Sequence, residues 1–434
     1  MLNFIIGRNN SGKTEKIRAL IAERASENKK CILIVPEQFS FESERSILEK
    51  IGAQKMLNVD ILSFTRLAFV INEQYGKALN KTIDDGTRKV LMSLSLEALS
   101  GKLEYFKRFS SKPALLSNLL TFVTELKQCA VTPDEIAEIS GKTGNKSLGK
   151  KLSELSLIAA SYDALVSRSF FDDENLLTIA ADMISETDFF DGKAVYFDAF
   201  CGFTKQERNC IKSILPKAEN VFISLCTDRD LSREGVSVFE NVNSEFSHLK
   251  ECAAEQNVGV SSPEILNVKE NGRSPELVYL EKYLCGEESE PYKEECDNIV
   301  VCAAGNRADE ADFVACEIKK LLRCNPTLRC RNIAVIERTA GTYDKELSES
   351  FKKYGVPMFE DKRRPIGIQP VMVFVKCLLA LCAEGFSTES FMRLLKTGLT
   401  ALSGDEISEL ENYAFLWNID GSKWRRDFTE NPDG

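Results

Sequence analysis

Leu2-Asn3-Phe4-Ile5-Ile6-Gly7-Arg8-Asn9-Asn10-Ser11-Gly12-Lys13-Thr14 stands at the start of the chain and decides its fold. Leu2–Ile6 is an apolar run of the length of a buried strand. Gly7 to Thr14, GRNNSGKT, fits the pattern G-x-x-x-x-G-K-[ST]. Glu15 to Ala25 has helical spacing, with Ile17, Leu20 and Ile21 on one face. Strand, glycine loop and helix in this order are the setting in which the pattern is a phosphate-binding loop. Gly7 and Gly12 let the amides of the loop, Arg8, Asn9, Asn10 and Ser11 included, curl around phosphate oxygens. The following helix presents the positive end of its dipole. Lys13 reaches the β- and γ-phosphates and the Thr14 hydroxyl ligates Mg²⁺. All eight residues are therefore candidate ATP ligands.

Working outward, the apolar run Cys31–Val35 ends at Pro36 and reads as a buried parallel strand, and Val59–Phe64 as a third. Helices are expected over Phe39–Ile51 and from Thr65. This is a doubly wound α/β beginning. From about Thr82 to Ile184 no strand pattern occurs. Amphipathic segments at Thr87–Leu99, Pro113–Cys129, Leu152–Val166 and Asn175–Ile184 replace it. Strand–helix–strand resumes at Ala194–Asp198, Thr204 onward and Val221–Leu225, so the helical block reads as an insertion. Pro263–Asn298 is polar and acidic and reads as a linker. A second α/β pattern follows, with strands at Ile299–Ala303 and Ile333–Ile336 and helices at Ala308–Leu322 and Tyr343–Lys353, then helices from Val371 to Phe415. The expected domains are 1–80 with 188–285, an all-helical insertion at 81–187, and an incomplete second α/β domain at 286–434.

Composition excludes several classes. Hydrophobic residues at 43% and charged residues at 28% are ordinary for a globular protein. The net charge of −10 argues against a protein that coats nucleic acid non-specifically, though a local basic groove is compatible with it. No apolar run approaches a membrane helix, and a chain entering a strand at once predicts no signal peptide. A cytoplasmic protein with no membrane partner is expected. The fourteen cysteines form no C-x-x-C pair and there is one histidine, His248. Reduced core thiols are favoured over a zinc site.

The remaining chemistry is sought at strand ends. Asp198 closes Val195-Tyr196-Phe197, where open α/β sheets bind ligands. It is either the second Mg²⁺ acid or a turn-capping residue. Ala199 follows it, where a hydrolytic enzyme places a glutamate. Gln206 either senses a γ-phosphate or lies beside a Thr204/Glu207 capping box, and the box is favoured. Phe39, Phe64, Thr65 and Arg66 follow strand ends on the side of the loop. They either stack bases and bind phosphates of single-stranded DNA or begin capped helices with the rings in the core. Arg338, after Ile333–Ile336, is positioned in sequence like an arginine finger. Lys362-Arg363-Arg364 is a basic loop that either contacts phosphates or is solvated.

GRNNSGKT, VPEQFSFESE, ILSFTRLA, VYFDAFCGFTKQE, NIAVIERTAGTYDKEL and ENYAFLWNIDGSKWRRDF, in this order and spacing, resemble the AddB family. Its members belong to the bacterial AddAB helicase–nuclease. The resemblance covers essentially the whole chain. It implies a P-loop NTPase fold of the superfamily 1 helicase type, with two RecA-like parallel-sheet domains and an all-helical insertion. It also implies an AddA-type partner in a heterodimer, single-stranded and double-stranded DNA ends as substrates, Chi recognition, and a role in recombinational repair. Two departures from active helicases point to nucleotide binding with weak or no turnover. No glutamine segment precedes Gly7, and the second acidic motif reads Asp198-Ala199-Phe200-Cys201-Gly202. Family members are more than twice as long, so their nuclease domain and [4Fe-4S] cluster are expected beyond Gly434. An independently active superfamily 1 helicase and a non-motor P-loop kinase are the alternatives.

Overall fold

Helices on both faces of one parallel sheet follow from strands that are apolar on both sides. The computed structural model describes residues 1–76, 83–107, 112–169, 173–228, 238–267, 273–283, 290–360 and 366–429. Its chain divides into two units, Met1–Ile299 and Val300–Gly434. In the first, β1 (Leu2–Ile6) leads into α1 (Lys13–Ser26), β2 (Cys31–Ile34), α2 (Ser40–Ile51), α3 (Ala53–Met56), β3 (Val59–Leu62) and α4 (Phe64–Tyr75). The helical block comprises α5 (Asp85–Ala98), α6 (Pro113–Gln128), α7 (Pro133–Lys142), α8 (Lys146–Ser169) and α9 (Asp173–Glu186). Then come β4 (Ala194–Phe197), α10 (Lys205–Ile214), β5 (Asn220–Leu225), α11 (Glu240–Glu255), β6 (Glu264–Ile265) and α12 (Pro275–Tyr283).

The six strands lie in the order β3-β2-β4-β5-β1-β6, and every pairing is parallel. Alternate residues of each strand face opposite layers. Ile5, Leu33 and Tyr196 pack with Ile17 and Ile21 of α1 and Ile47 of α2. Phe4, Ile34 and Phe197 face the other layer, built from α4, α9, α10 and α11. Because α1 and α11 leave for opposite faces, the loops after the adjacent strands β1 and β5 diverge at the C-terminal edge of the sheet. That divergence makes the crevice in which α/β sheets bind ligands.

The helical block has its own core, centred on Met92, Ile158 and the fully buried Tyr162, and spanning Ile83 to Val166. The last helix of the block, α9, packs instead on the sheet layer through Leu176, Ala180 and Ile184.

Two expectations are corrected. Pro263–Asn298 is not a bare linker. β6 pairs with β1 within it, Leu266 N donates to Ile6 O at 2.7 Å, and α12 follows. The second unit, in turn, shows helices but no strand among its described residues. These are α13 (Arg307–Cys324), α14 (Asp344–Tyr354), α15 (Pro370–Glu384), α16 (Thr388–Leu395) and α17 (Gly404–Leu416). The segments read as strands, 299–303 and 333–336, carry no ladder, and Val301 and Ile336 are 93% and 90% exposed. Two short strands alone bury too little to hold a sheet. A second parallel sheet is therefore not observed. What forms instead is a small α13–α14 core around Ala315, Ile318 and Phe351, and a helical cluster of α15, α16 and α17.

Candidate nucleotide and nucleic-acid site

The loop between β1 and α1 is held in a narrow conformation by its two glycines. A Cβ on Gly7 would meet Ser11 Oγ at 2.3 Å and the Leu266 carbonyl oxygen at 2.8 Å, so only glycine fits between them. Gly12 has φ +89°, left-handed backbone that lets the chain enter α1 directly. Asn10 is also left-handed, at φ +63°, a conformation asparagine tolerates. Ser11 is buried, whereas Asn9 and Asn10 are exposed. No side chain caps α1, so its first amides remain directed at the loop.

Lys13 folds back over this loop. Its Nζ donates to Gly7 O at 2.7 Å and Arg8 O at 2.9 Å, with Ser11 Oγ at 3.5 Å. Thr14 is half-buried one residue into the helix. Arg8 points away: its Nη2 donates to Glu281 O at 2.7 Å, its Nε lies 3.1 Å from Glu281 Oε1, and its guanidinium sits over the Phe239 ring. The Nε–carboxylate approach is an ion pair without hydrogen-bond alignment. A small pocket of about 120 Å³ beside Gly7 and Arg8 is lined also by Thr227, Asp228 and Leu266.

Asp198 follows β4 at the same end of the sheet, with β5 between it and the loop strand. Its backbone N–H donates to Ile34 O, and Ser224 Oγ on β5 donates to its carboxylate at 2.5 Å. With strands about 4.8 Å apart, the ends of β1 and β4 lie roughly 10 Å apart. Ala199 takes a left-handed φ of +65°. That conformation is disfavoured by about 1–2 kcal/mol for a residue with a Cβ, and it turns the chain sharply after the acid.

The other candidates separate. Gln206 is buried and its Nε2 donates to Thr178 Oγ1 at 2.9 Å, while Thr204 and Glu207 form the capping box. Gln206 is thus a structural residue of α10 that bonds to α9, not a phosphate sensor. Phe64 is corrected in the same way. Its ring lies inside a cluster with Phe197, Phe200 and Phe203, at centroid distances of 5.8, 5.5 and 6.1 Å, and is not offered to a base. Ser63 caps α4 by accepting from Arg66 N, which turns Thr65 and Arg66 outward into solvent. Phe39 is 38% exposed, and Phe41, which sequence reasoning missed, is 78% exposed. Helical spacing in Ser40–Ile51, with Ser43 and Ile47 inward, is the signal that places Phe41 outside. Arg338 is exposed in the second unit, after a segment whose Glu337 carboxylate accepts from Gly341 N and Tyr343 N. Lys362–Arg364 lies outside the described residues.

Among the described residues no cluster of histidine, cysteine and carboxylates could hold a metal by itself. The described cysteines are all free thiols. Burial pushes the Cys31 thiol up to about 11. Cys210 is likewise raised by burial. Cys302, read as a core thiol, is exposed because its segment has no sheet around it. No described helix is long and apolar enough to cross a membrane.

A six-stranded parallel sheet with a glycine-rich loop at its C-terminal edge defines an α/β protein whose candidate binding crevice lies at the ends of β1, β4 and β5. The chain belongs to the AddB family: residues 4–281 match the family described as ADDB, N-terminal. It is 32% identical over 425 residues to the B subunit of the ATP-dependent helicase/deoxyribonuclease of Clostridium novyi, covering 97% of this chain and 37% of that protein. The proteins of the same name from Acetivibrio thermocellus and Clostridioides difficile are 31% and 30% identical, each over 98% of this chain and 37% of the relative. The chain thus spans a little over a third of the length of these curated relatives.

Proposed function

We propose that this chain is the helicase-like portion of an AddB-type subunit that binds ATP with Mg²⁺ and contacts single-stranded DNA. The complex is an ATP-dependent helicase/deoxyribonuclease in which an AddA-type subunit does the pulling, and it processes double-strand DNA ends for recombinational repair in the cytoplasm. The observation that carries the reading is the geometry of Gly7–Thr14. A left-handed Gly12 delivers Lys13 and Thr14 to the mouth of α1, where the helix N-terminus faces the loop and can meet an anion.

Phosphate oxygens compete for Lys13 against the carbonyls of Gly7 and Arg8. A triphosphate is a far stronger partner for an ammonium than a neutral carbonyl. Mg²⁺ fits the oxygen donors of Thr14 and Asp198, since it prefers few protein oxygens and keeps its waters. When bound it neutralises charge on the phosphates. Ser224 orients the Asp198 carboxylate for that role. Ala199, where a catalytic carboxylate would stand, supports weak or absent hydrolysis. Arg338 is proposed to approach the γ-phosphate in the complete protein. Phe39 and Phe41, with Thr65 and Arg66, form the proposed single-strand platform and contribute to Chi recognition. The superfamily 1 architecture, with a second RecA-like sheet and a nuclease region carrying a [4Fe-4S] cluster, is proposed for the longer protein.

The test is Lys13→Ala in the full-length subunit with its partner, read by binding of a fluorescent ATP analogue. Nucleotide affinity should fall at least about 100-fold, as expected for loss of charge-assisted phosphate contacts, with the circular-dichroism spectrum unchanged. Unaltered binding to this subunit would refute the phosphate-loop reading.

A further inference from the structure

Helix α12 is tied at two places, and the ties lead in different directions. Near its C-terminal end, the Glu281 carboxylate and carbonyl hold the Arg8 guanidinium of the glycine loop. At its N-terminal end, Glu276 Oε1 accepts from the backbone N of Asn298 at 3.1 Å and from Asn298 Nδ2 at 2.5 Å. Between them, the Tyr279 hydroxyl donates to the Glu290 carbonyl, and its ring packs on Tyr283 and Tyr292. Glu276 is buried, which is unusual for a glutamate and is accounted for by these bonds. Asn298 lies immediately before Ile299, the last residue of the first unit.

Resting on the reading of Gly7–Thr14 as a nucleotide site, we propose that α12 is a nucleotide-responsive tie between the loop and the chain's exit from the first unit. Two bonds meet at residue 8. Its carbonyl accepts from Lys13, and its guanidinium grips Glu281. A nucleoside di- or triphosphate that takes Lys13 removes the first, and its negative charge competes with Glu281 for the second. Loop occupancy therefore opposes the Arg8–Glu281 contact and loosens α12 together with 290–299. Because the two equilibria share Arg8, the linkage is reciprocal, and weakening the tie tightens nucleotide binding.

The experiment uses the full-length protein with its partner, MgADP as the probe, and hydrogen exchange of peptides covering 275–283 and 290–299. In the wild type, MgADP should accelerate exchange in both peptides several-fold. Glu281→Gln should exchange fast without nucleotide and bind MgADP about fivefold more tightly, the scale of a partly exposed ion pair. Glu276→Ala, which leaves the loop contact in place, should accelerate 290–299 without nucleotide, keep 275–283 protected until MgADP is added, and tighten MgADP binding by less than Glu281→Gln does. It serves as the second variant if Glu281→Gln does not fold. MgADP binding that leaves both peptides unchanged overturns the tie while sparing the nucleotide site. Failure of the wild-type protein to bind MgADP at this loop overturns both.

Discussion

Phe64→Ala separates a core ring from a base-stacking ring, two roles that motif reading treats as interchangeable. The side chain is 6% exposed and touches three other phenylalanines between β4, α4 and α10. Truncating a phenylalanine in such a core costs about 3–5 kcal/mol, because the surrounding rings do not close over the cavity. For a unit near 300 residues, at about 2 °C per kcal/mol, that is a fall in Tm of roughly 6–10 °C. A stacking ring behaves in the opposite way. It leaves Tm alone and weakens single-strand affinity by about 1–3 kcal/mol per base. The assay pairs differential scanning calorimetry of the full-length protein with fluorescence anisotropy on a labelled oligonucleotide, read well below the transition. A large drop in Tm with affinity within about twofold is the expected outcome. A Tm within about 2 °C of wild type with a tenfold affinity loss would refute the packing argument and return Phe64 to the DNA surface.

Further outcomes follow from the same packing. Thr204→Ala removes the capping box of α10 and should destabilise that helix by about 1 kcal/mol, seen as faster hydrogen exchange over 205–208 with no change at α1. Iodoacetamide at pH 8 should label the exposed Cys201 and Cys316 and spare Cys31 and Cys210 until denaturant is added; comparable rates at all four would contradict the burial. Burial raises the Cys31 pKa above its unfolded value, so its contribution to stability is complete below about pH 9. That contribution is lost as the pH rises toward about 11, and Cys31→Val should flatten this part of a denaturation profile.

Five of the six strands were legible in the sequence because each is a largely apolar run beside a turn signal, whereas the exposed β6 lies in the stretch read as a linker. Cys31–Ile34 and Ala194–Phe197 are buried throughout, so their patterns carry no ambiguity about facing. The strand order was not legible. Nothing local says that β4, which follows β2 only after the whole helical block, inserts between β2 and β5. That non-local step brings Asp198 to the edge of the sheet occupied by Gly7–Thr14, and pairs it with Ser224, a residue with no motif to mark it. The facing of aromatic residues at helix starts was also hidden. Phe39, Phe41 and Phe64 share one sequence setting, but only the inward layer of α4 against Phe197 and Phe203 decides that Phe64 is core.

The misread linker shows why composition alone cannot find an interaction that is mostly electrostatic. Pro263–Asn298 is acidic, and acidic polar stretches ordinarily lie in solvent. Here two of the glutamates, Glu276 and Glu281, engage specific partners: an asparagine amide at the end of the unit and an arginine in the glycine loop. Both partners lie outside the helix that carries the glutamates, and one of them stands more than two hundred residues earlier in the chain. The apolar signal that does exist, Leu277, Val278 and Leu280, is too short to outweigh the surrounding charge. An arginine at the second position of the glycine loop adds a charge that, in this fold, faces a carboxylate on α12. The residues that mark the loop as a candidate phosphate site and the residue that ties it to α12 therefore belong to one motif.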